Sequence, residues 1–334
     1  MRFANITFVV LVLLTGVVSC SKDEADGPPV DPPLTFLPDT LGTGWTKDSI
    51  ATSFVINDVF FVNNNTGYIT ADDGVRQTVD GGQSWTRPNA GGRALYINIA
   101  ANPAGKVTLV RSGHQGVDNS QNAGTSYDSI FVSTEPTGIP KRILGADVFY
   151  SSNSVCYVVG PFDIYKSTDG GASFRNIYQF TTAGGFTSYS SVFFINDLTG
   201  WVRTFNGLHK TTDGGQTWTK KLTVERGNID FPSINVGYIS TESGIKKTMD
   251  GGDTWLPVNF PEALGGDSFV DVDFVSESTG FISTPKSIFK TTDGGNTWQR
   301  VVKMGSKQII EIHFTDASHG WACGSDGMVL KYIQ

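Results

Sequence analysis

Cysteine is scarce, three in 334 residues, which excludes a disulfide-dense scaffold. Positive charge is in deficit, 25 Lys and Arg against 32 Asp and Glu, for a formal charge of −7. That balance excludes a surface built to hold nucleic acid. Only four histidines are present, His114, His209, His313 and His319, and their spacing makes no metal set. No phosphate-cradling glycine loop and no sharp strand-to-helix serine turn can be read. No metal and no cofactor are expected. Long amphipathic helical patterns are missing too. Glycine, in contrast, is plentiful at 39 residues without a collagen-like period, the mark of many tight turns and an all-β chain.

The first segment reads as an address. Ile6 to Val18 is a nearly unbroken apolar run of 13 residues behind Arg2, short of the roughly 20 that span a bilayer as a helix. A short apolar stretch ending in small residues is a secretory signal. Cys20 follows Val17-Val18-Ser19 directly and resembles a bacterial lipobox, which implies a lipid attached at Cys20 and a signal peptide over 1–19. Several acyl chains would anchor the protein firmly, at ~0.8 kcal/mol per buried CH₂. Ser21-Lys22-Asp23-Glu24 resembles the export signal of surface-exposed lipoproteins of Bacteroidetes-type outer membranes. Gly27-Pro28-Pro29-Val30-Asp31-Pro32-Pro33 then forms a spacer that favours extended polyproline II. Residues 20–43 are thus expected to be a tether, and the location an outer membrane, at the cell surface.

The rest repeats. An octet Ser/Thr-x-Asp-x-Gly-x-Ser/Thr-aromatic occurs at Thr78–Trp85, Ser167–Phe174, Thr211–Trp218, Thr248–Trp255 and Thr291–Trp298, with a degenerate copy at Ser120–Tyr127. Trp45 is the tail of a further copy. The gaps between successive aromatics run 40, 42, 47, 44, 37 and 43 residues. Ahead of each octet lies an apolar-aromatic run, then a polar turn, then Gly-aromatic, as in Val192-Phe193-Phe194 to Gly200-Trp201. Each unit therefore reads as four short strands, the size of a propeller blade. Residues 308–332 supply three strands of a last blade, and Trp45 to Ile50 is expected to supply its fourth, closing the ring. The expected fold is one seven-bladed β-propeller of four-stranded antiparallel blades over 44–334, as a monomer.

Within the octet, the carboxylates of Asp80, Asp169, Asp213, Asp250 and Asp293 can accept backbone N–H groups ahead of them. The aromatic at the end (Trp85, Trp218, Trp255 or Trp298) buries beneath the turn. These are the parts of the Asp box, or bacterial neuraminidase repeat. One carboxylate per turn lacks the alternating oxygens of a Ca²⁺ loop, so a structural role is expected.

Gly-aromatic followed by Lys-Thr-Thr-Asp-Gly-Gly-x-Thr-Trp, at Gly200–Trp218 and Gly280–Trp298, resembles the photosystem II assembly/stability-factor-like propeller family. The resemblance covers 44–334 and implies a binding scaffold rather than an enzyme. Sialidases and large xyloglucan hydrolases carry similar boxes. A sialidase would need an arginine triad, an acid and a tyrosine nucleophile, and Arg142 only faintly resembles the first of these.

Aligning the blades on the Gly of Gly-aromatic gives a slot nine residues earlier: Asp58, Tyr96, Asp147, Ser191, Asn228, Asp271 and Glu311. The next residue is apolar in every blade. Alternation puts the two sets on opposite faces of the innermost strand, so the polar set should ring the channel near one end. It reads either as a hydrated belt bonding the backbone of neighbouring blades or as an acidic mouth for a cation or polar ligand. Crowded carboxylates should have raised pKa values. Loops hold Arg93, Arg142 and Arg226, with His114, Phe162 and Phe205 in other turns; ring-top loops are the usual binding surface. The expected function is a non-catalytic cell-surface lipoprotein scaffold for a protein or glycan partner; the alternative is a secreted sialidase-type hydrolase.

Overall fold

The computed structural model describes residues 38–50, 54–87, 94–112, 116–134, 139–143, 145–160, 163–179, 191–204, 207–223, 227–241, 244–260 and 268–334. Cys20, the leader and the tether to residue 37 lie outside the described residues. Arg93, His114, Phe162, Phe205 and Arg226 also lie outside them.

Seven antiparallel sheets follow one another along the chain. From blade 1 to blade 7 their innermost strands are Ile56–Phe61, Tyr96–Ala101, Asp147–Tyr150, Ser191–Phe194, Ile229–Asp230, Asp271–Phe274 and Ile309–Asp316. Each innermost strand touches those of the two neighbouring blades, and Ile309–Asp316 touches Ile56–Phe61, so the cycle is closed. The chain's two ends make the last sheet: Trp45–Ser49 pairs antiparallel with Met328–Ile333, Trp45 opposite Tyr332. The fold is a seven-bladed β-propeller.

The sheets depart from four strands in three places. Thr40–Leu41 adds a fifth strand to blade 6, so the chain enters the ring before residue 44. Ile139–Arg142 adds a fifth to blade 2. In blade 1 the fourth strand shrinks to one bridge, Gln77 with Thr86.

The core is divided among the joints between blades. Seven apolar clusters each combine residues of two adjacent blades. At five joints the aromatic after the blade's glycine, or after Cys156 in blade 3, stacks face to face on a Phe of the next blade. The pairs are Tyr157–Phe194, Trp201–Phe231, Tyr238–Phe274, Phe281–Phe314 and Trp321–Phe61, with centroids 3.4–3.6 Å apart. The same Phe meets its own blade's octet tryptophan edge-on, as Phe194 meets Trp218 at 6.1 Å. In blade 7 that edge-on partner is Trp45, 6.0 Å from Phe314. The glycine is there for the Phe: a Cβ on Gly200 would collide with the Phe194 ring. Blade 2 breaks the pattern. Ala101 stands where five other blades have Phe and blade 3 has Tyr150, and Thr108 Oγ1 hydrogen-bonds Tyr150 Oη (2.7 Å) in place of a stack.

The five full octets share one geometry. In the fourth blade, Thr211 Oγ1 donates to Asp213 Oδ1 (2.7 Å), the Gln216 and Thr217 N–H groups donate to the same oxygen, and Thr217 Oγ1 donates to Oδ2 (2.6 Å). Asp80, Asp169, Asp250 and Asp293 accept the same kinds of bonds. Both glycines of the turn have positive φ, 71° and 88° at Gly214 and Gly215, a region a Cβ opposes. The degenerate copy puts Ala123 there at φ 55°. Cys156 and Cys323 are buried free thiols.

Candidate functional site: the central channel

All seven innermost strands contribute to one cavity of about 450 Å³ on the ring axis. Two layers of side chains line it, because residues i and i+2 of a strand share a face. The first layer, from blade 1 to blade 7, is Asp58, Asn98, Asp147, Ser191, Asn228, Asp271 and Glu311. The second is Phe60, Ala100, Phe149, Phe193, Asp230, Asp273 and His313. Six carboxylates therefore face one space. Five of them crowd on blades 5, 6, 7 and 1 and Asp147 stands on blade 3, where Phe149 and, on blade 4, Phe193, 5.0 Å apart, cover the second layer.

Most of these carboxylates reach across to the backbone of the next blade. Asp58 accepts the Ile99 N–H (2.7 Å), Asp147 the Val192 N–H (2.8 Å) and Asp271 the Ile312 N–H (3.1 Å). One layer on, Asp230 accepts from Phe274 (2.6 Å) and Asp273 from Phe314 (2.7 Å). Adjacent innermost strands are not paired in a sheet, so their N–H groups need such side-chain acceptors. Asp271 also holds Asn228 Nδ2 at 3.0 Å. Glu311 differs: among the described residues no backbone N–H holds it, and its hydrogen-bond partner is the Asp271 carboxyl.

The surrounding protein strips these acids of water on all sides but the channel. Burial lifts Asp58 to about 8, and the charges of Asp147 and Asp271 add to it. Burial lifts Asp230 to about 7 against the pull of the Phe274 N–H. Asp147 rises only to about 6, because two N–H bonds and the Arg203 charge oppose its burial. Burial, then the neighbouring carboxylates, puts Asp273 and Glu311 well above the usual range. Burial also lowers His313 to about 4. Its neutral ring donates Nε2–H to the Phe61 carbonyl (2.9 Å) and leaves Nδ1 as an acceptor 3.9 Å from Asp273.

The structure brings Asp58, Asp147, Asp271 and Glu311 together, as the slot predicted, but not Tyr96. Blade 2 has no Gly-aromatic pair. Gly105 lies in its turn at φ 75°, and Val107 opposes Ala101 where five other blades have glycine opposite Phe and blade 3 has Cys156 opposite Tyr150. Counting from Gly105 overshoots by two residues, so Asn98 holds the place. Tyr96 is buried in the blade, its hydroxyl donating to Asp118 (2.6 Å). Arg142 sits exposed on the outermost strand of blade 2, away from the channel. Asp230, Asp273 and His313 were missed; the two-residue period, followed one step past the slot, would have found them.

The comparisons with known proteins fit this geometry. Residues 187–306, blades 4 to 6, match the family described as "Photosynthesis system II assembly factor YCF48". Over those three blades the chain is similar to that family. Solved structures agree on the ring. YCF48 from Cyanidioschyzon merolae is 20% identical over 87% of this chain and 99% of its own, with a TM-score of 0.68. A YCF48 bound to a D1 peptide is 17% identical over 90% of this chain and 100% of its own, with a TM-score of 0.70. The GH74 xyloglucanase of Xanthomonas campestris is 15% identical over 85% of this chain, which spans 53% of that enzyme, with a TM-score of 0.64. No curated protein matches the sequence.

Proposed function

We propose that the protein is a non-catalytic scaffold, lipid-anchored through Cys20 at the cell surface of an outer membrane, whose propeller binds a protein or glycan partner. The observation that carries the binding reading is the state of the channel's acids. Five of the six are already bonded to backbone N–H groups of the neighbouring blade, which suits holding a ring together better than attacking a glycosidic bond. Among the described residues the channel lining contains no arginine, whereas sialidase chemistry needs three beside an acid and a tyrosine. The likeness to a propeller bound to a peptide supports a protein partner over a glycan. In this reading the octet aspartates Asp80, Asp169, Asp213, Asp250 and Asp293 are structural.

Two experiments test it. The purified propeller, screened against peptide arrays and against sialoside and xyloglucan substrates, is expected to bind without turnover; hydrolysis of either glycan would replace the scaffold with the hydrolase. For the anchor, Cys20→Ser is expected to move the protein from the membrane fraction to the soluble one and to abolish fatty-acid labelling. A Cys20→Ser protein that stays labelled and membrane-bound refutes the anchor.

A further inference from the structure

We propose that the central channel is a binding site for a primary alkylammonium ion, its cationic head among the carboxylates of blades 5 to 7 and its apolar stem along the phenyl rings of blades 3 and 4. This deepens the scaffold reading and rests on it in one respect: a partner's lysine side chain is one carrier of that group, and a free amine is the other.

Three observations converge. The cavity, about 450 Å³, is within the range of small-ligand sites. In its second layer the wall is divided by chemistry, Asp147 of the first layer being the one acid on the phenyl side. Asp230, Asp273, Asp271 and Glu311 face it from blades 5 to 7, while Phe149 and Phe193 remain partly open to it on the other side. Acids alone would suit any cation. Phenyl faces beside them suit an organic one, through attraction of the head to the ring faces and burial of the stem. Among the described residues no three His, Cys, Asp or Glu groups converge as a metal set. Finally, Glu311 lacks the backbone N–H that holds the other acids and leans on the Asp271 carboxyl. Neighbouring like charges are relieved by a proton or by a cation.

Protons therefore compete with the ligand. The groups facing the site are Asp58, Asp147, Asp230, Asp271, Asp273, Glu311 and neutral His313, with the Arg203 charge felt at Asp147. With Asp58 at about 8 and Asp147 at about 6, affinity is expected to rise as pH climbs from 6 to 8.

The test is calorimetric titration of the full chain with pentylammonium, Nα-acetyl-lysine amide, Nα-acetyl-norleucine amide and Ca²⁺. The first two are expected to bind and the last two not. Asp273→Asn, which mimics the protonated acid and so keeps the fold, should weaken binding by about tenfold. Phe149→Leu should weaken it by about threefold. Tighter binding of pentylammonium points to a free amine, and tighter binding of the lysine amide to a partner's side chain. No binding at millimolar concentration, Ca²⁺ binding as tightly as the amines, or affinities that both substitutions leave unchanged would each overturn the proposal. Should no amine bind while wild type and Asp273→Asn hold the same peptide, this inference falls and the scaffold stands. Should amines bind and no peptide or glycan do so, the scaffold reading falls alone.

Discussion

Asp213 and Asp58 are the same residue put to opposite uses. Asp213 lies in an exposed turn whose hydroxyl and N–H groups hold its carboxyl down at about 2. Asp58 faces the channel, where burial lifts it to about 8. A depressed carboxyl contributes stability present above its unfolded pKa and lost as pH falls through the folded one. Asp213→Ala should therefore lower the midpoint of thermal unfolding at neutral pH, with the deficit shrinking below pH ~4. A raised carboxyl does the reverse, its contribution fading as pH climbs from ~4 to about 8. His313, lowered to about 4, opposes that trend only below its unfolded value of ~6.5. Stability should therefore fall between pH 6.5 and 8, and Asp58→Asn should flatten the fall and raise the midpoint at pH 8; calorimetric scans across that range check both.

At this scale the sequence was most readable where the repeat was purest. Asp58, Asp271 and Glu311 followed from one glycine and the two-residue period, and Asp147 from Cys156, which keeps the glycine's place in blade 3. Tyr96 failed because blade 2 has lost that glycine and carries another, Gly105, in its turn.

At the scale of the blade, a glycine, a Phe and a tryptophan act as a unit. Gly200 leaves room for Phe194, which stacks on Tyr157 of the preceding blade and meets Trp218 edge-on. Gly200→Ala forces the ring aside and should cost about 1–3 kcal/mol, as overpacked cores do. Trp218→Ala leaves Phe194 without its edge-on partner and should cost about 2–4 kcal/mol, somewhat under the figure for a fully buried aromatic. Urea unfolding of each variant checks these values, and an unchanged midpoint for either would show that the unit is not what joins the blades. The four-strand rhythm was legible because the turn octet and the apolar-aromatic run recur at near-constant spacing. Thr40–Leu41 and Ile139–Arg142 were not. They are short edge strands whose place depends on the sheet they join rather than on any pattern of their own.

For the whole molecule, the decisive contact joins residues nearly three hundred positions apart. Trp45 leaves the first sheets unaided and completes the last, against Phe314 and Tyr332. Without that strand blade 7 would keep an open outer edge. The sequence announced this through what was missing at one end and left over at the other. It could not announce the channel's division into an acid side and an aromatic side, because that division appears only when seven separate strands are brought around one axis. Hydrogen–deuterium exchange of the native chain, read by peptides, bears directly on closure. Residues 45–49 and 328–333 should be protected together, to the same degree as the strands of blade 6; exchange of 45–49 at the rate of free chain, beside a protected 328–333, would mean that the ring does not close on its own ends.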